Sequence, residues 1–233
     1  MSPAAVLAGL RIGAARLTRG RALAAALTSI AVTIVIAVIE RGSTPVGAAD
    51  RALATVFRLV VPLCAVALSG QSTGLVSLRD AAWPASRFGH PRASVGLGLA
   101  LAATIATALL SLLTAILALL ATRIGAEAGR AALPLARDLM TTSWIAVLAG
   151  AAYAAWVGLG ATWGRRGGGR LVVLAVDLVA GGLSGAGAVL PRGLTRHLLG
   201  GEAPLELPQA ASSAILLGTT LACLGLVTLR TRD

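Results

Sequence analysis

The side chains able to do chemistry are few and widely spaced. Asp177 is the ionisable residue that lies well inside a long apolar run, about 10 Å beyond Arg170 if that run is a regular helix. An acid at such a depth in hydrocarbon is costly. It marks a substrate, ion or proton position, unless it snorkels inward or pairs with an arginine of the Arg165 to Arg170 stretch. A second candidate is Gly182-Leu183-Ser184-Gly185, the Gly-x-Ser-Gly pattern of an intramembrane serine nucleophile. That chemistry requires a histidine on a later apolar run to take the serine proton. The later run holds none, and His197 follows Ser184 by only 13 residues, so the motif reads as glycine-rich helix packing. No catalytic residue is assigned.

What the chain lacks is equally informative. All 20 basic residues are arginine. Without lysine there is no phosphate loop of the Walker A kind and no Schiff-base chemistry, so ATP hydrolysis through that loop must reside on another chain. Cys64 and Cys223 fall in apolar runs and are expected to pack as small hydrophobes. His90 and His197 sit in different connecting segments, which leaves too few ligands for a metal or haem site. Charged residues make up 12%, half of the roughly 25% of a soluble domain, while 57% are hydrophobic before 28 glycines are counted. A water-facing surface cannot be built from this composition. A soluble globule, a disordered chain and a nucleic-acid-binding domain are excluded.

The elements that must position these residues are membrane helices, because about 20 apolar residues cross roughly 30 Å of hydrocarbon. Charge-free windows predict an all-α, polytopic integral membrane protein of six spans, at about 22–39, 59–78, 93–122, 139–164, 171–190 and 207–229. A signal peptide is the alternative for the first, but Glu40-Arg41-Gly42 offers no cleavage pattern. Residues 1–21 precede the six-span domain (22–229), and 230–233 form a tail. Placing both termini in the cytoplasm puts 12 arginines inside and 8 outside, with six of the eight non-membrane acids outside. In 3–18, Val6, Leu7, Leu10, Ala14 and Leu17 recur at helical spacing, which predicts a helix lying in the inner interface against anionic lipid. A frayed flank of the first span is the plainer alternative.

Within the spans, Trp144 and Trp163 are 19 residues apart, about 28 Å along one helix, matching two interfacial belts. Tyr153, Trp156, Gly160 and Trp163 share a face, read as lipid anchoring with a substrate path as the alternative. In the 93–122 span, Gly96, Ala100, Ala103, Thr107, Ser111, Thr114, Ala118 and Thr122 form a small-residue stripe suited to close packing. Its hydroxyls facing a polar cavity is the alternative. If the spans enclose a substrate path or intramembrane polar site, its candidate residues are Asp177, Tyr153, Trp156, Thr107 and Ser111.

Six spans in this length, inside termini, an interfacial first helix and an inner loop between the second and third spans resemble the type-2 permease family of ATP-binding-cassette transporters. The matching loop is Ser77-Leu78-Arg79-Asp80-Ala81-Ala82-Trp83-Pro84-Ala85-Ser86-Arg87, continuing through Phe88 to Arg92. The family's usual acidic, Gly-Thr-bearing run is reduced here to Arg79-Asp80. The resemblance implies an exporter subunit of the inner (plasma) membrane that pairs with a second copy or a similar permease. It also implies a separate ATPase chain carrying ATP and Mg, docked on the 71–92 loop. Leu75, Val76, Leu78, Trp83 and Phe88 would supply the apolar contact, with Arg79, Asp80, Arg87 and Arg92 as its polar rim. Two other readings remain open at this point: a substrate-capturing subunit like those of energy-coupling-factor importers, and a membrane scaffold or assembly protein.

Overall fold

The computed structural model describes residues 1–44, 46–123, 134–182 and 185–232. Among these residues the chain is helical, with no strand. Ala- and Leu-rich sequence favours that outcome, and a helix satisfies its own backbone polar groups where no water can.

The helices are α1 (Pro3–Leu17), α2 (Gly20–Ser43), α3 (Ala48–Thr55), α4 (Val61–Thr73), α5 (Leu78–Ser86), α6 (Arg92–Arg123), α7 (Leu135–Gly160), α8 (Gly169–Ala180), α9 (Pro191–Leu198) and α10 (Gln209–Arg230). A π turn, Val56–Val60, joins α3 to α4 into one rod. Five helical stretches are long and apolar enough to cross a membrane: α2, the α3–α5 segment, α6, α7 and α10.

Both chain ends meet the first turns of α6. The Ser2 N–H donates to Ser94 Oγ at 3.2 Å, and Thr231 packs on Gly96. The same end of the bundle holds α5, since the Leu78 N–H donates to the Ala161 carbonyl just past α7 at 2.9 Å. We call this the α5 end. Because α7 finishes there and α10 finishes there too, the chain must return to the opposite end between Ala161 and Gln209.

That return is where the structure departs most from the expected spans. Residues 171–190 do not form one helix. After a run of 12 residues, about 18 Å, α8 stops at Ala180. Gly181 and Gly187 allow the chain to fold back: a Cβ on Gly181 would meet the Asp177 carbonyl, and one on Gly187 the Ala180 carbonyl. Past this turn α9 inserts between α7 and α10, where Leu194 and Leu198 join Ile145, Leu148, Ala152 and Leu216 in one apolar cluster. His197, buried, shares a hydrogen bond with Ser212 Oγ at 2.8 Å and ties α9 to α10. Leu183 and Ser184 of the Gly-x-Ser-Gly motif lie outside the described residues.

Other boundaries shift for local reasons. The second rod starts at Ala48 rather than 59, because Asp50, Arg51 and Arg58 sit on helix although a charge-free window rejects them. It ends at Thr73 with Gly74 in the left-handed region (φ 70°), where the Leu75 N–H closes on the Gly70 carbonyl. Helix α7 ends at Gly160, so Trp144 and Trp163 do not share one helix.

Helix α1 is present, and the face it packs against α6 is made of small residues. Ala5, Gly9 and Gly13 are buried, while Leu7 and Ala14 are exposed. Gly9 and Gly98 bring the α1 and α6 backbones so close that a Cβ on either would strike the other helix's main-chain atoms. All eight stripe positions of α6 are buried, as the close-packing reading requires. Cys64 and Cys223 are buried free thiols.

The α1–α6 contact gives a direct check. Gly98→Ala should destabilise the purified protein by about 1–3 kcal/mol, the usual effect of overpacking. Gly218→Ala, in open space on α10, should not. Thermal unfolding in detergent separates the two outcomes.

Candidate functional site

Two constellations collect the residues singled out by the sequence. One is at the α5 end. Ser77 opens α5 by a reciprocal cap: its Oγ accepts from the Asp80 N–H at 3.1 Å and donates to Asp80 Oδ2 at 2.6 Å. The helix is amphipathic. Leu78, Ala81 and Ala82 face inward into a cluster with Ala5, Val95, Leu99, Leu159 and Val227, which belong to four different helices. Leu78 is therefore an internal anchor and not part of the docking surface expected of it; as the first residue of α5 it turns toward the bundle.

The opposite face is open. Phe88 is 81% exposed, Trp83 42%, Leu75 50% and Val76 36%. The Arg87 guanidinium stacks over the Trp83 ring at 4.1 Å from its centroid, holding that ring against the surface. Arg79 and Asp80 are exposed beside it. Arg92, half-buried, donates from Nε to Ser86 Oγ at 3.4 Å and closes the end of the segment. Apolar side chains framed by charged ones form the anatomy of a protein contact surface.

Arginines that charge counting alone would assign to topology fix this loop in place. Arg170 is buried, and its guanidinium donates to Thr73 Oγ1 at 2.5 Å and to the Val76 carbonyl at 2.8 Å. From α1, Arg16 donates to the Ser72 carbonyl at 3.0 Å. Between them they satisfy carbonyls freed by the end of α4. Burial and the neighbouring charge of Arg19 lower the pKa of Arg16 from its ordinary value. No sequence signal distinguished Arg170 from Arg165 and Arg166 in the same run.

The other constellation surrounds Asp177, which is fully buried. Its Oδ1 accepts the Arg192 backbone N–H at 3.1 Å, so the carboxyl group caps the first turn of α9. In the reverse direction the Arg192 guanidinium donates to the Leu178 carbonyl at the end of α8. Each helix of the hairpin thus caps the other. Neither expected alternative, snorkelling nor pairing with the Arg165 to Arg170 stretch, describes Asp177; its partner comes from beyond the turn.

Tyr153 of α7 lies beside Asp177, and both Tyr153 Oη and Asp177 Oδ2 are buried without a well-formed hydrogen bond. Thr107 Oγ1 and Ser111 Oγ are likewise buried and unpartnered, packed where Gly150 of α7 crosses α6. Nearby Thr104, Thr114 and Thr122 instead bond back to carbonyls of α6. Trp156 is half-buried and donates from Nε1 to the Val173 carbonyl at 2.9 Å, which makes it a brace between α7 and α8. The structure therefore brings Asp177, Tyr153 and Trp156 to the α7–α8 contact and places Thr107 and Ser111 at the α6–α7 contact.

These features define a multi-pass membrane protein of helical type. No family model matches the chain, and neither the curated proteins nor the solved structures contain a match to it.

The capping role of Asp177 predicts a graded response. Asp177→Leu leaves a buried N–H without an acceptor and should cost about 1–3 kcal/mol. Asp177→Asn keeps an oxygen for that bond and should cost clearly less. Thermal unfolding of both variants decides, and equal losses would rule out the hydrogen bond as the basis.

Proposed function

We propose that this chain is the membrane-spanning subunit of an ATP-driven transporter similar to type-2 ATP-binding-cassette permeases, working as an exporter in the plasma membrane. It crosses the bilayer six times, α8 and its hairpin supplying the fifth crossing, and both termini lie in the cytoplasm. Helix α1 rests in the inner interface. A separate ATPase chain binds ATP and Mg and docks on α5. A second copy, or a similar permease, completes the transport path along α2 and α10, whose surfaces are the least buried of the spans.

The observation that carries this reading is α5 itself. A short capped helix joins two spans, its inner side in one cluster with residues of four helices, while Trp83 on it and Leu75, Val76 and Phe88 in the flanking segments are exposed, as are Arg79, Asp80 and Arg87. Exposed apolar side chains at a membrane protein's aqueous end need a partner. The absence of lysine rules out a Walker A loop on this chain, which supports an energy source on that partner. Twelve of the 20 arginines belong to the α5 end, which supports assigning it to the cytoplasm.

In this mechanism the ATPase moves α5, and α5 moves the helices to which it is bound. The Leu78 N–H reaches the segment after α7, Arg170 reaches the Val76 carbonyl from α8, and α5 packs on α6, with Ala81 and Ala82 in one apolar cluster with residues of α6 and α10. No covalent chemistry is required of this chain.

Two measurements test the proposal. The tagged chain isolated from its native membrane should bring down an ATPase whose turnover depends on it. Replacing Trp83, Arg87 and Phe88 with Ala should reduce that association at least about tenfold, the effect of losing one or two interface hot spots. Undiminished association would exclude α5 as the docking element, and a ligand retained by the lone chain would favour the importer reading. Separately, Ser2→Cys and Arg232→Cys should both resist an impermeant thiol reagent in right-side-out vesicles, whereas Glu202→Cys reacts. Labelling of only one terminus would contradict the six-crossing topology.

A further inference from the structure

At the end opposite α5, a cavity of about 620 Å³ opens between the α3–α4 rod and the α8–α9 turn. Its wall carries four arginines, Arg51, Arg58, Arg192 and Arg196, against one carboxylate, Asp50, with Phe57 as apolar lining. A cavity of this size accommodates a ligand of headgroup or metabolite dimensions.

The four arginines are not equivalent. Arg51 is engaged: its Nε donates to Glu40 Oε2 at 2.9 Å and its other nitrogens reach the Thr44 and Val46 carbonyls. Arg192 is held by the Leu178 carbonyl, next to Asp177. Among the described residues, the Arg58 and Arg196 guanidinium groups have no ion pair and no hydrogen bond. Arg58 lies eight residues beyond Asp50, about 12 Å deeper along the rod. A cation at that depth is expensive unless something neutralises it. It is also carried on the π turn, a departure from the regular helix ladder that recurs at functional sites.

An oxyanion with several acceptor atoms meets this need best, because a guanidinium fork matches phosphate geometry. We propose that Arg58 and Arg196 bind the phosphate group of an anionic ligand in this cavity. Two sources share that chemistry, the headgroup of an anionic phospholipid and a free phosphorylated solute. This inference goes beyond the ATPase-docking reading and does not involve α5, so either can fail while the other holds.

The full chain, purified in detergent, is mixed with phosphatidylglycerol, phosphatidylcholine or glycerol phosphate. Ligand retention is read by native mass spectrometry and stability by thermal unfolding. Phosphatidylglycerol should be retained more strongly than phosphatidylcholine and should raise the unfolding temperature. Retention should fall at least about tenfold in the double variant R58Q/R196Q and persist in R58K/R196K. If the double glutamine variant does not fold, Arg196→Gln alone, on the exposed end of α9, supplies the same reading. Protection by phosphatidylglycerol without competition from glycerol phosphate identifies a lipid headgroup; protection by glycerol phosphate identifies a solute. The proposal is overturned if none of the anions is preferred, or if R58Q/R196Q retains them like the unaltered chain. It is equally overturned if R41Q/R137Q, at arginines outside the cavity lining, loses as much.

Discussion

A polypeptide in hydrocarbon must satisfy its own backbone polar groups, and every interruption of a helix there has to be repaired by something other than water. This constraint governs both places where the described chain breaks inside the bundle. Where α4 ends, at Gly74, Arg16 and Arg170 receive the Ser72 and Val76 carbonyls. Where α8 ends, at Gly181, Arg192 caps the outgoing helix and Asp177 caps the incoming one. Arg16, Arg170, Arg192 and Asp177 are therefore all bonded to main chain at these breaks. Their hydrogen bonds hold the breaks together. Each break in turn permits something a straight rod cannot provide: the first allows α5 to turn across the end of the bundle, and the second allows α9 to insert beside α7.

Close packing supplies the remaining cohesion. Lipid tails are as apolar as leucine, so helices in a bilayer adhere through backbone proximity more than through hydrophobic exclusion. Gly9 against Gly98 joins α1 to α6, Gly150 against Ser111 joins α6 to α7, and Gly160 against Gly169 joins α7 to α8. Helix α6 lies at the centre of these contacts, which explains why its 32 residues carry an unbroken stripe of small side chains. Helix α2 packs on α6 without such a glycine approach, Gly20 and Gly42 facing open space, and keeps large side chains such as Leu23, Leu27, Val35 and Ile39 outward.

The sequence made the apolar rods legible because hydrocarbon thickness sets a length that composition must match. The small-residue stripe of α6 and the position of α5 were legible for a related reason: both are patterns local to one segment. What it could not reveal were partnerships between distant segments. Asp177 and Arg192 are 15 residues apart across a turn whose geometry depends on Gly181, and only the folded hairpin shows that they bond. Leu78 looks identical to Leu75 in hydropathy, yet one is buried and the other half exposed because α5 begins between them. Arg58 was invisible for the opposite reason. A window that rejects charge ends at such a residue and so hides the helix that continues through it.

The two ends of the bundle are built on different physical terms, and the difference bears on how motion could travel between them. At the α5 end, hydrogen bonds from α1, α8 and the segment after α7 converge within a few residues of Gly74, and the inner face of α5 is packed across four helices. A displacement of α5 is resisted by all of them together, so it moves the helix ends as one body. At the far end, α9 is tied to α8 by Arg192 and Asp177 and to α10 by His197 and Ser212, and it also touches the π turn of the α3–α4 rod beside the cavity.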